Sequence, residues 1–419
     1  MTNDRDCLFQ NYVRAPVAFT HGRGARLYDA AGREYLDFIG GIATSCLGHA
    51  HPRLVGAIAD QARRYLHVSN LFRIPEQERA ARLLVEASRA PSSAPKSSLA
   101  EGMVDTIPGA RGLDRVFFCN SGTEANEAAI KIARKRGYPS GRHEIIVTHQ
   151  SFHGRTLGSL AATGNPRYHQ GFGPLPQGFV FVDWNDLGAA RAAVGERTCA
   201  VLVEPVLGES GVLPAAPEYL RGLEALCRER DLLFLLDEVQ TGIGRTGSMF
   251  AFHHYGVEPD VVTLAKALGG GVAVGAVMAK EETALLLVPG DHGSTFGGNA
   301  LATAAVAAVL ETIRDEGLLD NARAMGERLR GGLAAVEGVT EVRGLGLLVA
   351  AELRTEAGPV AARALENGLL VNAVRPTSIR MAPPLVVTAA EIDRAVEIFA
   401  RTLQSSAAMA GAVRREGHA

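Results

Sequence analysis

Two apolar runs that each end in a charged residue constrain this chain more than any other feature. Residues 232–236 lead into Asp237, and residues 261–265 lead into Lys266. Such runs are typical of strands buried on both faces of a parallel sheet, whose carboxyl ends form the edge where ligands bind. An acid and a lysine at that edge predict one site, where Asp237 faces a cationic nitrogen and Lys266 captures a carbonyl group. Pyridoxal phosphate is a cofactor that presents both groups.

The composition is that of a soluble globular protein. Of the 419 residues, 47% are hydrophobic and 21% are charged, and the net charge of −2 favours neither nucleic acid nor an anionic membrane. The five cysteines form no CxxC pair, which indicates free thiols in a reducing compartment and argues against a metal site. The chain shows neither the apolar core of a signal peptide nor an apolar stretch of membrane-spanning length. The predicted location is therefore the cytoplasm.

Strand-like segments alternate with helical patterns through the middle of the chain, which predicts an α/β fold with a mostly parallel sheet and helices on both faces. The last strand follows its predecessor after a glycine-rich turn too short for a parallel crossover, so we expect it to be antiparallel. The predicted strands cover residues 115–119, 144–148, 179–182, 200–204, 232–237, 261–265 and 274–279.

The segments outside this region suggest a second unit. A long Ala-rich helix is predicted from residue 299 to about residue 314, and helices with short strands follow it. Residues 91–112 are rich in Pro, Ser, Ala and Gly, which is typical of an exposed loop. The predicted units are an N-terminal segment (1–55) that packs with the small domain, a large cofactor-binding domain (56–305), a small α/β domain (306–405) and a disordered tail (406–419).

Short motifs at the ends of three further strands suggest ligand contacts. Ser121, Gly122 and Thr123 join a strand to a helix, where free backbone N–H groups and the helix dipole favour a phosphate, although an ordinary helix cap explains them as well. Phe152 suits stacking on a flat ring and Arg155 suits a carboxylate. Core packing of Phe152 and a surface ion pair of Arg155 are equal alternatives.

Two carboxylates follow another strand. Glu204 is at least as suited to bonding backbone amides in its turn as to catalysis, whereas Glu209 is the better candidate for a polar role at the site.

Taken together, these motifs resemble the class III (ω-amino acid) aminotransferases, which are pyridoxal-phosphate enzymes. The resemblance runs from about residue 24 to about residue 399 and implies the aspartate-aminotransferase-like fold, with a mostly parallel seven-stranded sheet in a large domain and a smaller α/β domain. The segments that carry it are YLDFIGGIATSCLGHAHP, NSGTEANEAAIK, FHGRTLGSLAATG, DEVQTGIGRTG, LAKALGGG and HGSTFGGN.

The resemblance also implies how the cofactor is held. Lys266 matches the residue that bonds the cofactor's aldehyde and then moves a proton, and Asp237 matches the partner of the pyridine nitrogen. The other implied contacts are Val239 and Phe152 on the two ring faces, Gln240 at the ring hydroxyl, Ser121, Gly122 and Thr123 at the phosphate, and Thr295 at the phosphate of a neighbouring subunit.

Substrate contacts follow from the same resemblance. Arg155 matches the residue that binds the donor's carboxylate, and Arg380 the one that binds the α-carboxylate of 2-oxoglutarate. Glu209 resembles the acid that pairs with Arg380 while the donor is bound. Ser294 lies near the substrate, and the apolar Ile42 suits a donor whose α-amine carries an acyl group. The pairing of Thr295 with a neighbour's site implies a homodimer with sites at its interface.

The expected reaction is transfer of the δ-amino group of N2-acetyl-L-ornithine to 2-oxoglutarate, as in arginine biosynthesis. A succinylated ornithine, free ornithine, 4-aminobutyrate or a lysine-pathway amine fits the same motifs, because one methylene changes binding by only about 1–3 kcal/mol. An aminomutase of the glutamate-1-semialdehyde type shares the fold and cofactor, and a non-enzymatic regulatory protein on this scaffold would not need Lys266 or Asp237.

Overall fold

The computed structural model describes residues 7–89 and 112–416, with side chains as far as residue 405. The loop predicted at 91–112 therefore lies outside the described residues, apart from Gly112. The strands are β1 (Phe19–Arg23), β2 (Arg26–Asp29), β3 (Glu34–Asp37), β4 (Arg115–Cys119), β5 (Glu144–Thr148), β6 (Phe179–Val182), β7 (Thr198–Val203), β8 (Val206–Leu207), β9 (Leu213–Pro214), β10 (Leu233–Asp237), β11 (Val261–Leu264), β12 (Gly275–Ala279), β13 (Val339–Leu345), β14 (Leu348–Leu353), β15 (Leu369–Leu370), β16 (Asn372–Arg375) and β17 (Ser378–Met381). The helices are α1 (Gly40–Ala43), α2 (Pro52–Arg64), α3 (Pro75–Arg89), α4 (Gly122–Gly137), α5 (Leu157–Ala162), α6 (Leu187–Ala193), α7 (Pro217–Arg230), α8 (Phe252–Tyr255), α9 (Glu281–Ala284), α10 (Ala300–Asp315), α11 (Leu318–Ala334), α12 (Ala357–Glu366) and α13 (Ala389–Glu416).

A seven-stranded sheet forms the centre of the molecule, in the order β4-β12-β11-β10-β7-β5-β6. Strand β12 runs antiparallel to both β11 and β4, and the other pairs are parallel. The predicted sheet is confirmed, including the reversed strand. Each observed strand lies within two residues of its predicted bounds.

Both faces of this sheet are buried, which explains the uninterrupted apolar run in β10. Leu233 and Leu235 belong to one core cluster, and Phe234 and Leu236 belong to another on the opposite face. Helix α4 packs against β10, β11 and β12, while α10 packs against α2 and α3. With apolar side chains on both faces, the ends of the strands are where a charged group can be placed at low cost.

A second sheet of four strands joins the N-terminal segment to a strand near residue 370. Strands β1, β2 and β3 are antiparallel neighbours, and β3 pairs in parallel with β15, so that Leu36 faces Leu369. This pairing joins the N-terminal segment to the region predicted as the small domain. The predicted domain boundaries themselves stay a prediction.

A third sheet, in the order β13-β14-β17-β16, packs against helices α11 and α12, and helix α13 packs against both of these helices. Helix α13 extends to Glu416, so residues 406–416 are helical where the sequence predicts a tail, and residues 417–419 lie outside the described part. Among the described residues, no helix has both the length and the apolar character that crossing a membrane requires.

Replacing Gly326 by alanine tests how tightly α11 packs against the turn between β13 and β14. A methyl group at Gly326 would clash with the carbonyl oxygen of Gly346, because the two atoms would be much closer than their van der Waals radii allow, so the helix would have to shift. We expect Gly326→Ala to lower the free energy of unfolding by about 1–3 kcal/mol, measured by urea denaturation. Gly331 lies on the same helix with open space around it, so Gly331→Ala should be neutral or stabilising. Equal effects of the two changes would contradict this packing.

Candidate active site

The Asp237 carboxylate at the end of β10 is buried and held by three donors. Its Oδ2 accepts hydrogen bonds from Nδ2 of Asn126 at 2.7 Å and from Nδ1 of His153 at 2.8 Å. Its Oδ1 accepts a third from the backbone N–H of Val239 at 3.0 Å. Because a carboxylate oxygen only accepts, His153 carries its hydrogen on Nδ1. These bonds compensate the burial of the charge and fix the orientation of the carboxylate.

Asn126 connects this carboxylate to the surrounding elements. Its Nδ2 also donates to the carbonyl oxygen of His153 at 2.7 Å, and its Oδ1 accepts from the hydroxyl of Thr263 at 2.8 Å. Thr263 is the partner of Asp237 in the pairing of β10 with β11. One side-chain amide therefore ties α4, two strands and the loop of His153 together.

Sequence reasoning assigned no role to Asn126 or His153, although both lie within motifs that it singled out. A signal for Asn126 was available, because it follows Gly122 by four residues and so lies on the same face of α4. His153 had no such signal, since its contact with Asp237 joins residues 84 positions apart.

Lys266 follows β11 and begins a 3-10 turn, Lys266–Gly269, with a φ of 45° that is uncommon for a residue other than glycine. Its side chain and that of Asp237 line one cavity of about 480 Å³. Burial lowers the pKa of the Lys266 amine, the charge of Glu209 opposes this shift, and the charge of Arg380 adds to it. A lowered pKa increases the neutral fraction of the amine, which is the nucleophilic form.

Most of the predicted site residues meet at this cavity. Arg380 does not line the cavity itself but bonds to Glu209 and Gln240, which do. Ser294, Thr295 and Ile42 do not line the cavity. The predicted residues that line the cavity are Ser121, Gly122, Thr123, Phe152, Arg155, Glu209, Asp237, Val239, Gln240 and Lys266.

The N-terminus of α4 opens into the cavity. Ser121 caps the helix by accepting from the backbone N–H of Glu124 at 3.4 Å. A Cβ atom at Gly122 would lie 2.7 Å from Cγ1 of Val239, so only glycine allows the helix start to approach this side chain. Free N–H groups at a helix N-terminus bind anions such as phosphate.

The hydroxyl of Thr123 organises the neighbouring loop. Its oxygen accepts from the backbone N–H groups of Arg155 at 3.2 Å and Thr156 at 3.1 Å, and it lies 2.6 Å from the hydroxyl of Ser159. Thr123 therefore positions the loop of Arg155, in addition to the phosphate contact that the resemblance implies.

Glu204 supports the loop of Phe152. Its carboxylate accepts from the backbone N–H of Phe152 at 2.9 Å and from that of Gly208 at 3.4 Å. Burial, and then the charge of Asp237, raises the pKa of Glu204. Glu204 therefore bonds backbone amides, which is one of the two roles that the sequence left open for it.

An ion pair joins the buried Arg380 on β17 to the half-buried Glu209. Nη1 of Arg380 donates to Oε1 of Glu209 at 2.7 Å, to the carbonyl oxygen of Gly208 at 3.0 Å and to Oε1 of Gln240 at 3.0 Å. Nε2 of Gln240 donates to the same Glu209 oxygen at 3.0 Å. Burial alone would raise the pKa of Glu209, but Arg380, Lys266 and the hydrogen bonds lower it to about 2.

Three predicted residues lie apart from the cavity in this single chain. Ser294 accepts from Nδ2 of Asn120 at 3.2 Å, and Asn120 lines the cavity. Thr295 and Ile42 are exposed, and Ile42 has a φ of 62°. The role assigned to Thr295 requires a second subunit, so it stays a prediction.

The site fits pyridoxal phosphate. An amine and an oriented carboxylate line one cavity of ligand size, and the glycine at the start of α4 keeps backbone N–H groups accessible to a phosphate. Residues implied for the ring faces and the ring hydroxyl, Phe152, Val239 and Gln240, line the same cavity.

Comparisons with known proteins agree on one family. The sequence model of the family described as aminotransferase class-III matches residues 9–403 of this chain. The chain is 48% identical over 397 residues to acetylornithine aminotransferase 1 of Bordetella bronchiseptica, covering 93% of this chain and 95% of that protein. It is 45% identical to the acetylornithine aminotransferase of Methanocaldococcus jannaschii, covering 92% of each.

Solved structures show the same fold. The crystal structure of ornithine aminotransferase from Toxoplasma gondii is similar with a TM-score of 0.87 and 34% identity, covering 97% of this chain and 94% of that one. That of N-acetylornithine aminotransferase from Stenotrophomonas maltophilia is similar with a TM-score of 0.79 and 34% identity, covering 94% and 98%.

The pH dependence of stability tests the Glu209 pair. In the folded state the pKa of Glu209 is about 2, against an ordinary value of 4.5. The pair therefore stabilises the fold above about pH 4.5, and this contribution is lost as the pH falls towards 2. We expect Glu209→Gln to cost about 1–3 kcal/mol of unfolding free energy at pH 7 and progressively less in acid, measured by urea denaturation.

The exposed Glu337 provides the control for this experiment. Glu337→Gln should change the free energy of unfolding little at any pH. A difference between wild type and Glu209→Gln that stays constant from pH 7 to acid would contradict the ion pair.

Proposed function

The chain belongs to the class-III aminotransferases, and from this premise we propose that it transfers the δ-amino group of N2-acetyl-L-ornithine to 2-oxoglutarate. The products would be N-acetyl-L-glutamate 5-semialdehyde and L-glutamate, as in arginine biosynthesis. The chain is a pyridoxal-phosphate-dependent transaminase that takes an amine donor and a keto acid. The observation that carries an ω-amine donor is a buried arginine, Arg380, neutralised by Glu209 at the wall of the Lys266 cavity. The similarity to acetylornithine aminotransferases supports the acetylated donor among these amines.

Pyridoxal phosphate, when bound, supplies an aldehyde that takes up the amino group and a ring that accepts electrons. We assign Lys266 as the residue that would hold the cofactor at its aldehyde carbon and would move a proton at the substrate carbon. Asp237, oriented by Asn126 and His153, would keep the ring nitrogen protonated. The further residues assigned to the cofactor are Phe152 and Val239 at the ring faces, Gln240 at the ring hydroxyl, and Ser121, Gly122 and Thr123 at the phosphate.

Two substrates of different charge use the same cavity in turn. The reacting end of the donor carries no carboxylate, so Glu209 remains on Arg380 while the donor is bound. The α-carboxylate of 2-oxoglutarate would then take the place of Glu209 on Arg380, because a guanidinium binds a carboxylate strongly. Arg155 binds the donor's own carboxylate, and the apolar Ile42 suits the acyl group.

We also propose a homodimer with sites at its interface. Leu71, Phe72 and Phe296 are exposed, and exposed apolar side chains of this size in one region mark an interaction surface. Nδ2 of Asn70 donates to the carbonyl oxygens of Ser294 and Gly297, at 3.1 and 2.8 Å, so the two segments form one surface. Thr295 lies in that surface, where it would reach the partner's phosphate site and place Ser294 near the substrate.

For location we propose the cytoplasm. Four cysteines, Cys46, Cys119, Cys199 and Cys227, are buried thiols outside any disulfide, which is usual in a reducing compartment.

A panel of amine donors tests the substrate proposal. Glutamate formation from 2-oxoglutarate is measured with N2-acetylornithine, N2-succinylornithine, ornithine and 4-aminobutyrate. We expect the highest kcat/KM for N2-acetylornithine, with ornithine lower by about tenfold or more because its charged α-amine loses solvation beside an apolar residue. Lys266→Ala is the control and should abolish turnover with every donor. A higher kcat/KM for ornithine would contradict the acyl preference, and isomerisation without glutamate would indicate an aminomutase.

Single-turnover kinetics separate the two uses of Arg380. Glu209→Gln leaves Arg380 without its counter-charge, so we expect the apparent Kd of the donor to rise about tenfold while 2-oxoglutarate binds at least as tightly as before. Arg380→Met should show the reverse pattern and lose mainly 2-oxoglutarate binding. If Glu209→Gln weakens both substrates equally, Glu209 does not exchange with the keto acid.

A further inference from the structure

The side chain of Arg155 rests against two aromatic rings. Its guanidinium carbon lies 3.9 Å from the centroid of the Tyr168 ring and 5.4 Å from that of Phe152. The two rings meet edge to face, with centroids 6.0 Å apart and planes at 88°. Among the residues that the structure describes, no carboxylate pairs with this guanidinium. Arg155 lines the cavity, whereas Tyr168 lies outside its wall.

Stacking reduces the entropy that an exposed arginine loses when it binds a ligand. Arg155 is exposed, and a side chain of this length that is not held in place samples many rotamers, most of which are lost on binding. A ring against the guanidinium face attracts the cation and limits those rotamers. It leaves the N–H groups at the guanidinium edge free, and these form the bidentate pair with a carboxylate.

The fold holds Tyr168 in place from the other side. The residue ends the 3-10 turn Pro166–Tyr168, which Asn165 caps by accepting from the backbone N–H of Arg167 at 3.2 Å. The next residue, His169, has Nε2 at 2.9 Å from the carbonyl oxygens of both Leu160 and Thr163, at the C-terminal end of α5. Helix α5 begins directly after the loop of Arg155, so this contact holds the turn of Tyr168 close to that loop.

We propose that Tyr168 is a positioning residue, which orients Arg155 for the carboxylate at the far end of the substrate from the reacting amine. The inference rests on the proposed function, because that function gives Arg155 its carboxylate. The ring does the positioning. The Tyr168 hydroxyl makes no hydrogen bond within the described part of the chain, so phenylalanine should serve as well as tyrosine.

A substrate pair isolates recognition of the carboxylate. The donors 5-aminopentanoate and pentylamine have the same length and the same reacting amine, and only the first carries a carboxylate. The half-reaction of the cofactor-loaded enzyme with each donor gives a ratio of kcat/KM values. The wild-type enzyme should prefer 5-aminopentanoate.

The variants are Tyr168→Leu, Tyr168→Phe, Arg155→Met and the combination of Tyr168→Leu with Arg155→Met. Tyr168→Leu should reduce the preference about 3- to 20-fold by raising KM for 5-aminopentanoate, with kcat and the pentylamine rate nearly unchanged. Tyr168→Phe should keep the wild-type ratio. In the Arg155→Met background, Tyr168→Leu should have no further effect, because the two residues act as one unit.

Three results would overturn the inference: an unchanged ratio in Tyr168→Leu, a loss in Tyr168→Phe as large as that in Tyr168→Leu, or an equal effect of Tyr168→Leu with and without Arg155. An unchanged pentylamine rate shows that Tyr168→Leu and Tyr168→Phe are folded and loaded, and the absorbance of the bound cofactor shows the same for the two variants that carry Arg155→Met. Failure of the proposed function gives a different result from failure of this inference. The wild-type enzyme would then not use N2-acetylornithine, but it would still prefer 5-aminopentanoate to pentylamine, and that preference would still depend on Tyr168.

Discussion

A carboxylate buried at the end of a central strand is the constraint on which the rest of this structure depends. Asp237 can be charged there only because Asn126, His153 and the backbone of Val239 donate to it. Each donor belongs to a different element, so satisfying one charge fixes the start of α4, the loop after β5 and the turn after β10 relative to one another. The phosphate site, the aromatic residue Phe152 and the aliphatic Val239 are thereby placed around one cavity.

Two cationic side chains of the site, Lys266 and Arg380, are controlled by burial and by the charge of Glu209. Burial lowers the pKa of Lys266 and so increases its neutral fraction, while Arg380 is neutralised by Glu209, whose pKa is lowered to about 2. In the proposed function, a substrate carboxylate replaces Glu209 on Arg380. Gln240 bonds to both members of the pair, so the proposed exchange would occur beside the residue assigned to the ring hydroxyl.

What the sequence could predict follows from local patterns. The strands of the central sheet, the reversed β12 and the delivery of Asp237 and Lys266 to one edge depend on apolar runs and short connections, which are readable along the chain. The contacts of His153 and Tyr168 depend on side-chain geometry that no local pattern shows. For Asn126 a local signal existed, because it lies one helical turn after Gly122 on the same face of α4. The role predicted for Thr295 depends on contact with a second subunit, and a contact between chains leaves no local pattern in the sequence.

The central claim is that the amine of Lys266 holds the cofactor at a cavity wall shared with Asp237. Borohydride reduction of the cofactor-loaded protein, followed by proteolysis and mass spectrometry of the peptides, identifies the lysine that is bound. The account predicts a single reduced pyridoxyl adduct, on the peptide that contains Lys266. An adduct on another lysine, with Lys266 unmodified and the protein still active, would contradict it.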